Sequence, residues 1–447
     1  MALTYQQALH YIHSFDDPYL AAIRNHGRQT WGLDPIRALL ATLGEPQQAY
    51  PVIHVAGTKG KGSTCAFITQ GLIEAGLKVG LYISPHLQDW RERIQINRQP
   101  IPEDDLGQIV EDLQSTVRPQ SGLSAFEITT ALAFWYFARQ NCQAAVIEVG
   151  LGGRLDATNV VNPLVTAITN ISLDHMQLLG DTLGQIAAEK AAIIKPGVPV
   201  ISAPQAPEAL EVIEKRAQET DSPLTVIGRD WHCEALDLSL QGSWALIGPQ
   251  GHAQKVAVGL PGGFQIENAA VAMAVLEEAQ RSGLPVRGAD RLAGLVRTHW
   301  PGRFEMMSGS PLVVVDSAHN TYSIQRLVES LQELHRGPLT FVFGCMADKD
   351  IVGMLRTILP VARRVILTRA AGYERAASVH ELMAQAARLV SAAQENGEDW
   401  AGAIELKTAP DVAGAVRQAL SGLQDHEALC IAGSLAIAGE ARTALAT

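Results

Sequence analysis

A chain of 447 residues, 47% of them hydrophobic, is long enough for two domains and too apolar for disorder, since single cores seldom grow far beyond about 250 residues. Its formal charge of −11 excludes a broad nucleic-acid face, which needs a basic surface, so an anionic ligand must be held in a local basic pocket. No apolar run reaches the roughly 18 residues of a membrane span, the opening MALTYQQALHYIHSFDD lacks the plan of a secretory signal, and the cysteines Cys65, Cys142, Cys233, Cys345 and Cys430 are scattered without a C-x-x-C pair, which argues against a disulfide framework or a zinc site and for the cytoplasm.

Short β-branched runs alternate with helical patterns in chain order: PVIHVAG (51–57), KVGLYISP (78–85), AAVIEVG (144–150), LVTAITNIS (164–172) and VPVISAP (198–204). This rhythm predicts βαβ units and a mostly parallel sheet covered on both faces. Residues 229–260 break it and read as a small antiparallel patch before a helix near 267–283. A second series follows: PLVVVDSAH (311–319), PLTFVFG (338–344), RRVILTRA (363–370), AIELKTA (403–409) and EALCIAGSLA (427–436). Pro301-Gly302 interrupts both periods, so the expected architecture is α/β with two domains, 1–298 and 299–447.

Ligands of open parallel sheets gather at the carboxyl ends of strands, and polar residues are concentrated there. The first strand runs into VAGTKGKGSTC (55–65), a glycine loop of phosphate-binding type, in which backbone N–H groups, a helix N-terminus and a lysine meet an anion. It is not the Walker pattern G-x-x-x-x-G-K-[ST], because Val55 stands at the first glycine position and Gly62 follows Lys61. GLGGRLDATN (150–159) fails the dinucleotide fingerprint, with Leu155 at the third glycine. Glu148 ends an otherwise apolar strand, where a charge is costly without a cation; with the Ser84 hydroxyl it suits Mg²⁺, which takes oxygen ligands together with phosphate oxygens and water. His175 at the fourth strand end reads either as a further ligand or as a structural histidine. The helix IAAEKAAIIKPG (186–197) stops at Pro-Gly and carries Glu189 and Lys190, either a solvated Glu/Lys face or a lysine aimed into the site, chemically altered or binding phosphate directly. Arg303 and Asp316 read as nucleotide contacts, by stacking or phosphate neutralisation and by ribose hydrogen bonds, or as ordinary turn residues.

The segments IRALLATLGEPQ, HVAGTKGKGST, SPHL, RERIQIN, FEITTALAF, EVGLGGRLDATN, SLDHMQLLGDTLGQIAAEKAAIIKPG, ENAAVA, PGRFE, DSAHN, FGCMADKD and GSLAIAGEAR together resemble the folylpolyglutamate synthase and dihydrofolate synthase family of the Mur-ligase superfamily, nearly end to end. The resemblance implies a P-loop-type, mostly parallel N-terminal sheet domain with the ATP phosphate loop, and a Rossmann-like C-terminal domain. It implies an ATP-dependent amide ligase that joins L-glutamate to dihydropteroate and to reduced folates through an acyl phosphate. Gly60, Lys61, Gly62 and Ser63 would cradle the ATP phosphates, and Asn268, Arg303 and Asp316 would contact the nucleotide. Ser84, Glu148 and His175 would hold magnesium, with two ions expected in all. Lys190 matches a lysine that takes up CO₂ as a carbamate, Ser124, Ala125, Phe126, Glu127, Leu155, Asp156 and Ala157 match acceptor contacts, and His319 matches a residue near the incoming glutamate. A monomer without nucleic-acid or membrane partners is expected.

This sequence departs from the family pattern at Lys59, where Asn is common, at Ser317, where Gly is frequent, and at Ala192. The stretch RNHGRQTWGLDPIRALL (24–40) is also less typical, and acceptor choice is expected to depend on it. The neighbouring possibilities are chain extension alone, a peptidoglycan-precursor ligase, and a nucleotide-binding protein without turnover; intact Lys61, Glu148, His175 and Lys190 argue against the last.

Overall fold

The computed structural model describes residues 3–15, 32–118 and 122–446; Arg24–Trp31 of the atypical amino-terminal stretch lie outside them. Two compact units form: Met1–Glu234 with Ala245–Val258 and Gln265–Thr298, and His299–Thr447 with Ala235–Trp244 and Gly259–Phe264.

The first unit is built on β1 (Val52–Ala56), β2 (Val79–Tyr82), β3 (Ile94–Ile96), β4 (Gln99–Pro100), β5 (Ala144–Glu148), β6 (Val165–Ile168), β7 (Val200–Ser202) and β8 (Leu224–Val226), in the order β4-β3-β2-β5-β1-β6-β7-β8. The six strands from β2 to β8 in that order are parallel, and β3 and β4 add an antiparallel edge. Every residue of β1, β2, β5 and β6 is buried, which is why these strands read as continuous apolar runs. Strands β3, β4 and β8 went unpredicted because two or three residues give no measurable period.

Register fixes where the loops begin. Val55 pairs with Glu148 and Ala56 with Ile168, so the phosphate loop after β1 opens level with the ends of both neighbours. One face of this sheet is covered by the helix Ala125–Arg139, whose Phe134 and Phe137 are fully buried, each contributing about 2–3 kcal/mol by removal from water. The Tyr50 hydroxyl donates to the Phe134 carbonyl at 3.0 Å, and Tyr82 and Thr130 share a hydrogen bond of 3.0 Å.

Residues 231–258 form a three-stranded sheet from β9 (Trp231–Asp237), β10 (Ser243–Pro249) and β11 (Gln254–Val258), and the helix after them spans Gly263–Arg281. The helix expected to run to Pro196-Gly197 closes earlier, at Leu183–Ala191. Beyond it the chain tightens, with Ile193 and Ile194 N–H donating to the carbonyls of Lys190 and Ala191, because a residue before proline avoids the helical region.

The second unit holds β12 (Glu305–Gly309), β13 (Leu312–Val315), β14 (Leu339–Phe343), β15 (Ala362–Leu367), β16 (Glu405–Thr408) and β17 (Ala428–Ala432), ordered β12-β13-β17-β14-β15-β16. All neighbours are parallel except the edge pair β12-β13. Its core includes Phe304, Phe341, Phe343, Leu355 and Leu367. β12 went unpredicted because EMMSG has neither alternation nor β-branching.

Candidate active site

The loop after β1 is shaped by its glycines. Gly57 has φ 150° and Gly60 φ 88°, and a Cβ on either would overlap the side chains of Thr169 and Asn268 respectively. Only glycine allows both conformation and close approach here. The loop is pinned to the end of β6, where the Asn170 carbonyl accepts from Thr58 N–H (2.8 Å) and Lys59 N–H (3.2 Å). Gly60 caps the helix Lys61–Glu74, so Lys61, Gly62 and Ser63 lie in its first turn, where free N–H groups and the helix dipole favour an anion. Gln265 Nε2 donates to Ser63 Oγ (3.3 Å), and Asn268 Nδ2 donates to Gln265 Oε1 (2.9 Å), which sets Asn268 against this loop.

Three lysines and two acids meet at the loop. Lys61 Nζ is 4.0 Å from Glu148 Oε1, and Ser84 N–H donates to Glu148 Oε2 at 3.4 Å. Lys190, 4% exposed, donates from Nζ to the Gly57 carbonyl at 3.0 Å. Burial, aided by Lys61 and Lys59 and partly offset by Asp174 and Asp156, pushes its amine down to about 7. Of the two readings of Lys190, the solvated face is therefore excluded. Lys59, the departure from the family pattern, is paired with Asp174 at 2.8 Å. His175 is half-exposed in the left-handed region (φ 50°), with Nε2 3.8 Å from Asp174 Oδ1.

The oxygen chemistry of this corner fits magnesium. Glu148 and Ser84 are hard donors beside the phosphate loop, and Asn170 Oδ1 and Ser172 Oγ are buried there with no hydrogen-bond partner among the described residues. Among the described residues no three His, Cys, Asp or Glu side chains form a cage.

The loop 150–159 lies against the same elements. Arg154 N–H donates to the Glu189 carbonyl (2.8 Å), Arg154 Nε to Glu189 Oε1 (3.0 Å), and Lys195 Nζ to Asn159 O and Oδ1 (3.0 and 2.7 Å). Gly153 permits the contact, since a Cβ there would sit 2.6 Å from the Glu189 carbonyl oxygen and 3.1 Å from Lys190 Cα. Gly153→Ala is therefore expected to cost about 1–3 kcal/mol by overpacking, read as a lower urea midpoint at unchanged slope. Asp156 and Ala157 are buried and Leu155 is partly so. Ser124 and Glu127 form a reciprocal cap on the helix Ala125–Arg139: Glu127 N–H donates to Ser124 Oγ (3.1 Å) and Ser124 N–H to Glu127 Oε2 (2.8 Å). Phe126 packs on Gly150, where a Cβ would lie 2.5 Å from its ring edge.

In the second unit Asp316 is buried and joins two loops. Its Oδ2 accepts from Phe304 N–H (2.6 Å) and its Oδ1 from Ala318 N–H (2.7 Å); burial raises its pKa, opposed by Arg303. Ser317, another departure from the family pattern, accepts from Arg303 Nη1 and donates to the Gly302 carbonyl. His319 Nδ1 donates to the Ser317 carbonyl at 2.9 Å, which fixes the neutral tautomer. Sequence reasoning missed Glu305, which accepts from Gly302 N–H (2.8 Å) and pairs with Arg442 (2.7 Å), and also missed His54, Thr158 and Lys195. Only the contrast of a polar side chain inside an apolar run marked His54.

The profile of the Mur ligase middle domain matches residues 55–276 and that of the Mur ligase, glutamate ligase domain residues 302–435; fold and site thus define an ATP-dependent ligase. The chain is 36% identical to folylpolyglutamate synthase of Lacticaseibacillus casei over 84% of its own length and 87% of that protein. It is 36% identical to dihydrofolate synthase/folylpolyglutamate synthase of Bacillus subtilis over 76% and 81%. Among solved structures, E. coli FolC in complex with DHPP and ADP superposes with a TM-score of 0.79 at 29% identity, covering 96% of this chain and 97% of that one. The chain belongs to the folylpolyglutamate synthase/dihydrofolate synthase family. Among the described residues no helix is long and apolar enough to cross a membrane, and all five cysteines are free.

Proposed function

We propose that this chain joins the amine of L-glutamate to the carboxylate of dihydropteroate and to the terminal γ-carboxylate of reduced folates, with ATP cleaved to ADP and phosphate. The observation that carries this reading is the fastening of the loop 150–159 to the helix bearing Lys190, beside a phosphate loop in which Lys61 faces Glu148. The acceptor carboxylate attacks the γ-phosphate, the bond to the β-phosphate oxygen breaks, and an acyl phosphate forms. The glutamate amine then attacks the acyl carbon, phosphate leaves, and the amine gives up a proton.

Lys61 and the N–H groups of residues 60–63 hold the phosphates and stabilise charge as it moves between them; most of the rate comes from such positioning and electrostatics. Asn268 of the first unit is assigned to the nucleoside, and in the second unit Arg303 and Asp316 are assigned to the same ligand by their own local geometry. Ser124 to Glu127 and Leu155 to Ala157 bind the pterin acid, and His319 orients the incoming glutamate. Ser84, Glu148 and His175 would hold magnesium, which when bound neutralises the transferring phosphoryl group. Lys190, buried against the Gly57 carbonyl with its amine pushed down to about 7, has access to the neutral form that adds CO₂; the carbamate would place an anion there that helps hold a second ion. The domains 1–298 and 299–447 divide these tasks, phosphate loop and acceptor in the first and glutamate in the second. The acting unit is a monomer in the cytoplasm; free cysteines suit such a reducing compartment and bear on nothing else in this reading.

The test is ADP release by the purified chain with ATP, magnesium and L-glutamate, comparing dihydropteroate with tetrahydrofolate. Release with both is expected. Release with the folate alone reduces the activity to chain extension, and silence with both, given bound ATP, overturns the ligase reading.

A further inference from the structure

His54 is the third residue of the five in β1, is fully buried, and takes no part in the chemistry above. A buried ring nitrogen without a partner is costly, and Nδ1 of His54 has none among the described residues, so the one pairing that Nε2 makes carries the ring's polar contact. Its Nε2 lies 2.8 Å from Thr158 Oγ1. The Thr158 hydroxyl in turn lies 2.5 Å from Asp156 Oδ1, and the carboxylate also accepts from Thr158 N–H at Oδ1 (3.0 Å) and from Leu151 N–H at Oδ2 (2.8 Å). A carboxylate only accepts, so Thr158 must donate to it, and the threonine lone pair must then accept from His54 Nε2–H. The chain of donors therefore runs one way, from the strand that enters the phosphate loop to an acid of the acceptor loop. Burial, with Lys195 nearby, pushes His54 down to about 3, so the ring stays neutral and its donor does not change over the working pH range.

We propose that His54, acting through the Thr158 hydroxyl, is a positioning residue for Asp156 and so sets the affinity of this enzyme for its pterin acid. The proposal rests on the reading of residues 155–157 as acceptor contacts. Three donors hold the carboxylate at one orientation and oppose the burial that raises its pKa, so that its oxygens stay presented to the N–H groups of a pterin ring. Without the relay, Asp156 keeps its two backbone donors but gains a rotational freedom that acceptor binding must remove. Nothing in the relay touches ATP, so its loss should leave nucleotide binding alone.

The experiment compares Thr158→Val with Thr158→Ser in the full-length chain, measuring KM for tetrahydrofolate and for ATP, with urea unfolding as a control. Thr158→Val should raise the KM for the folate by about tenfold or more, as expected for losing one hydrogen bond to a charged group, with the KM for ATP within about twofold; Thr158→Ser, which keeps the hydroxyl, should restore the folate KM to within about threefold of the parent. Equal folate KM in the valine and serine variants, or an ATP KM that moves in step with the folate KM, overturns the proposal in favour of packing alone. Should Thr158→Val fail to fold, His54→Gln against His54→Leu asks the same question, since only glutamine keeps an N–H donor. Asp156→Asn separates the two levels. If it leaves the folate KM unchanged, the acceptor reading fails and takes the proposal with it; if it raises that KM while Thr158→Val does not, the proposal alone fails.

Discussion

Lys190→Ala should lower kcat by about 10²–10³-fold, the loss seen when one preorganised electrostatic group is removed from a phosphoryl- or acyl-transfer site, while the protein remains folded. The expectation rests on position: Lys190 is 4% exposed, its Nζ bonds the Gly57 carbonyl of the phosphate loop, and Lys61 is close enough to depress its pKa. A buried amine beside the partly buried Lys61 is disfavoured as a cation, and a carbamate on Lys190 would reverse the sign of its charge. If so, parent activity at a fixed CO₂ partial pressure should rise as pH rises through about 7, because only the neutral amine adds CO₂, and added bicarbonate should not rescue the alanine variant. Near-parental kcat in Lys190→Ala would remove the residue from the chemistry altogether.

The same burial predicts a stability effect of opposite sense. Lys190 titrates near 7 when folded, against 10.5 ordinarily, so between those values the unfolded chain binds the extra proton. Stability contributed at this position therefore rises with pH across that window, and the penalty of the buried charge is fully present below 7. Lys190→Met, which keeps the length without the charge, should be more stable than the parent at pH 6, by on the order of a few kcal/mol, with the gap closing toward pH 10. Urea midpoints at the two pH values read this directly, and a pH-independent gap would place the amine outside its buried setting.

The fold was legible in the sequence wherever burial on both faces imposed it. PVIHVAG, AAVIEVG and LVTAITNIS became β1, β5 and β6 because a central parallel strand admits little besides apolar residues. The edges were illegible for the converse reason: β3, β4, β8 and β12 are short or polar and are held by their neighbours rather than by their own pattern. At the site, Glu148 was conspicuous as a charge ending an apolar run and is buried beside the phosphate loop, whereas Lys190, inside an alanine-rich helix, left two readings open until its burial was seen. The residues that hold the loop 150–159 were not conspicuous. His54, Thr158 and Lys195 act through pairings across 104 and 36 positions of sequence, which no local pattern encodes. Two departures from the family pattern gained a physical meaning only in three dimensions, Lys59 by pairing with Asp174 and Ser317 by bridging Arg303 to the Gly302 carbonyl.

Glu148→Gln should cut kcat by about 10²–10³-fold and move the magnesium titration midpoint upward by about tenfold, with little change in the urea midpoint. Glutamine preserves the volume at the end of β5 and still offers an oxygen to Ser84 N–H, which donates to Glu148 at 3.4 Å. What it removes is the negative charge 4.0 Å from Lys61 Nζ, and with it the hardest oxygen donor at this strand end. An unchanged magnesium titration would take Glu148 out of the metal site and leave it as the partner of Lys61 alone. The two roles separate in a double variant. Glu148 and Lys190 both act on Lys61, one attracting it and the other, as an amine, repelling it. If Lys190 is a carbamate in the working enzyme, both are anions serving one group of cations, and Glu148→Gln with Lys190→Ala should cost far less than the product of the single losses, because residues that act as one unit are non-additive. Multiplicative losses would mean that each acts on a different step, with Glu148 at phosphoryl transfer and Lys190 elsewhere.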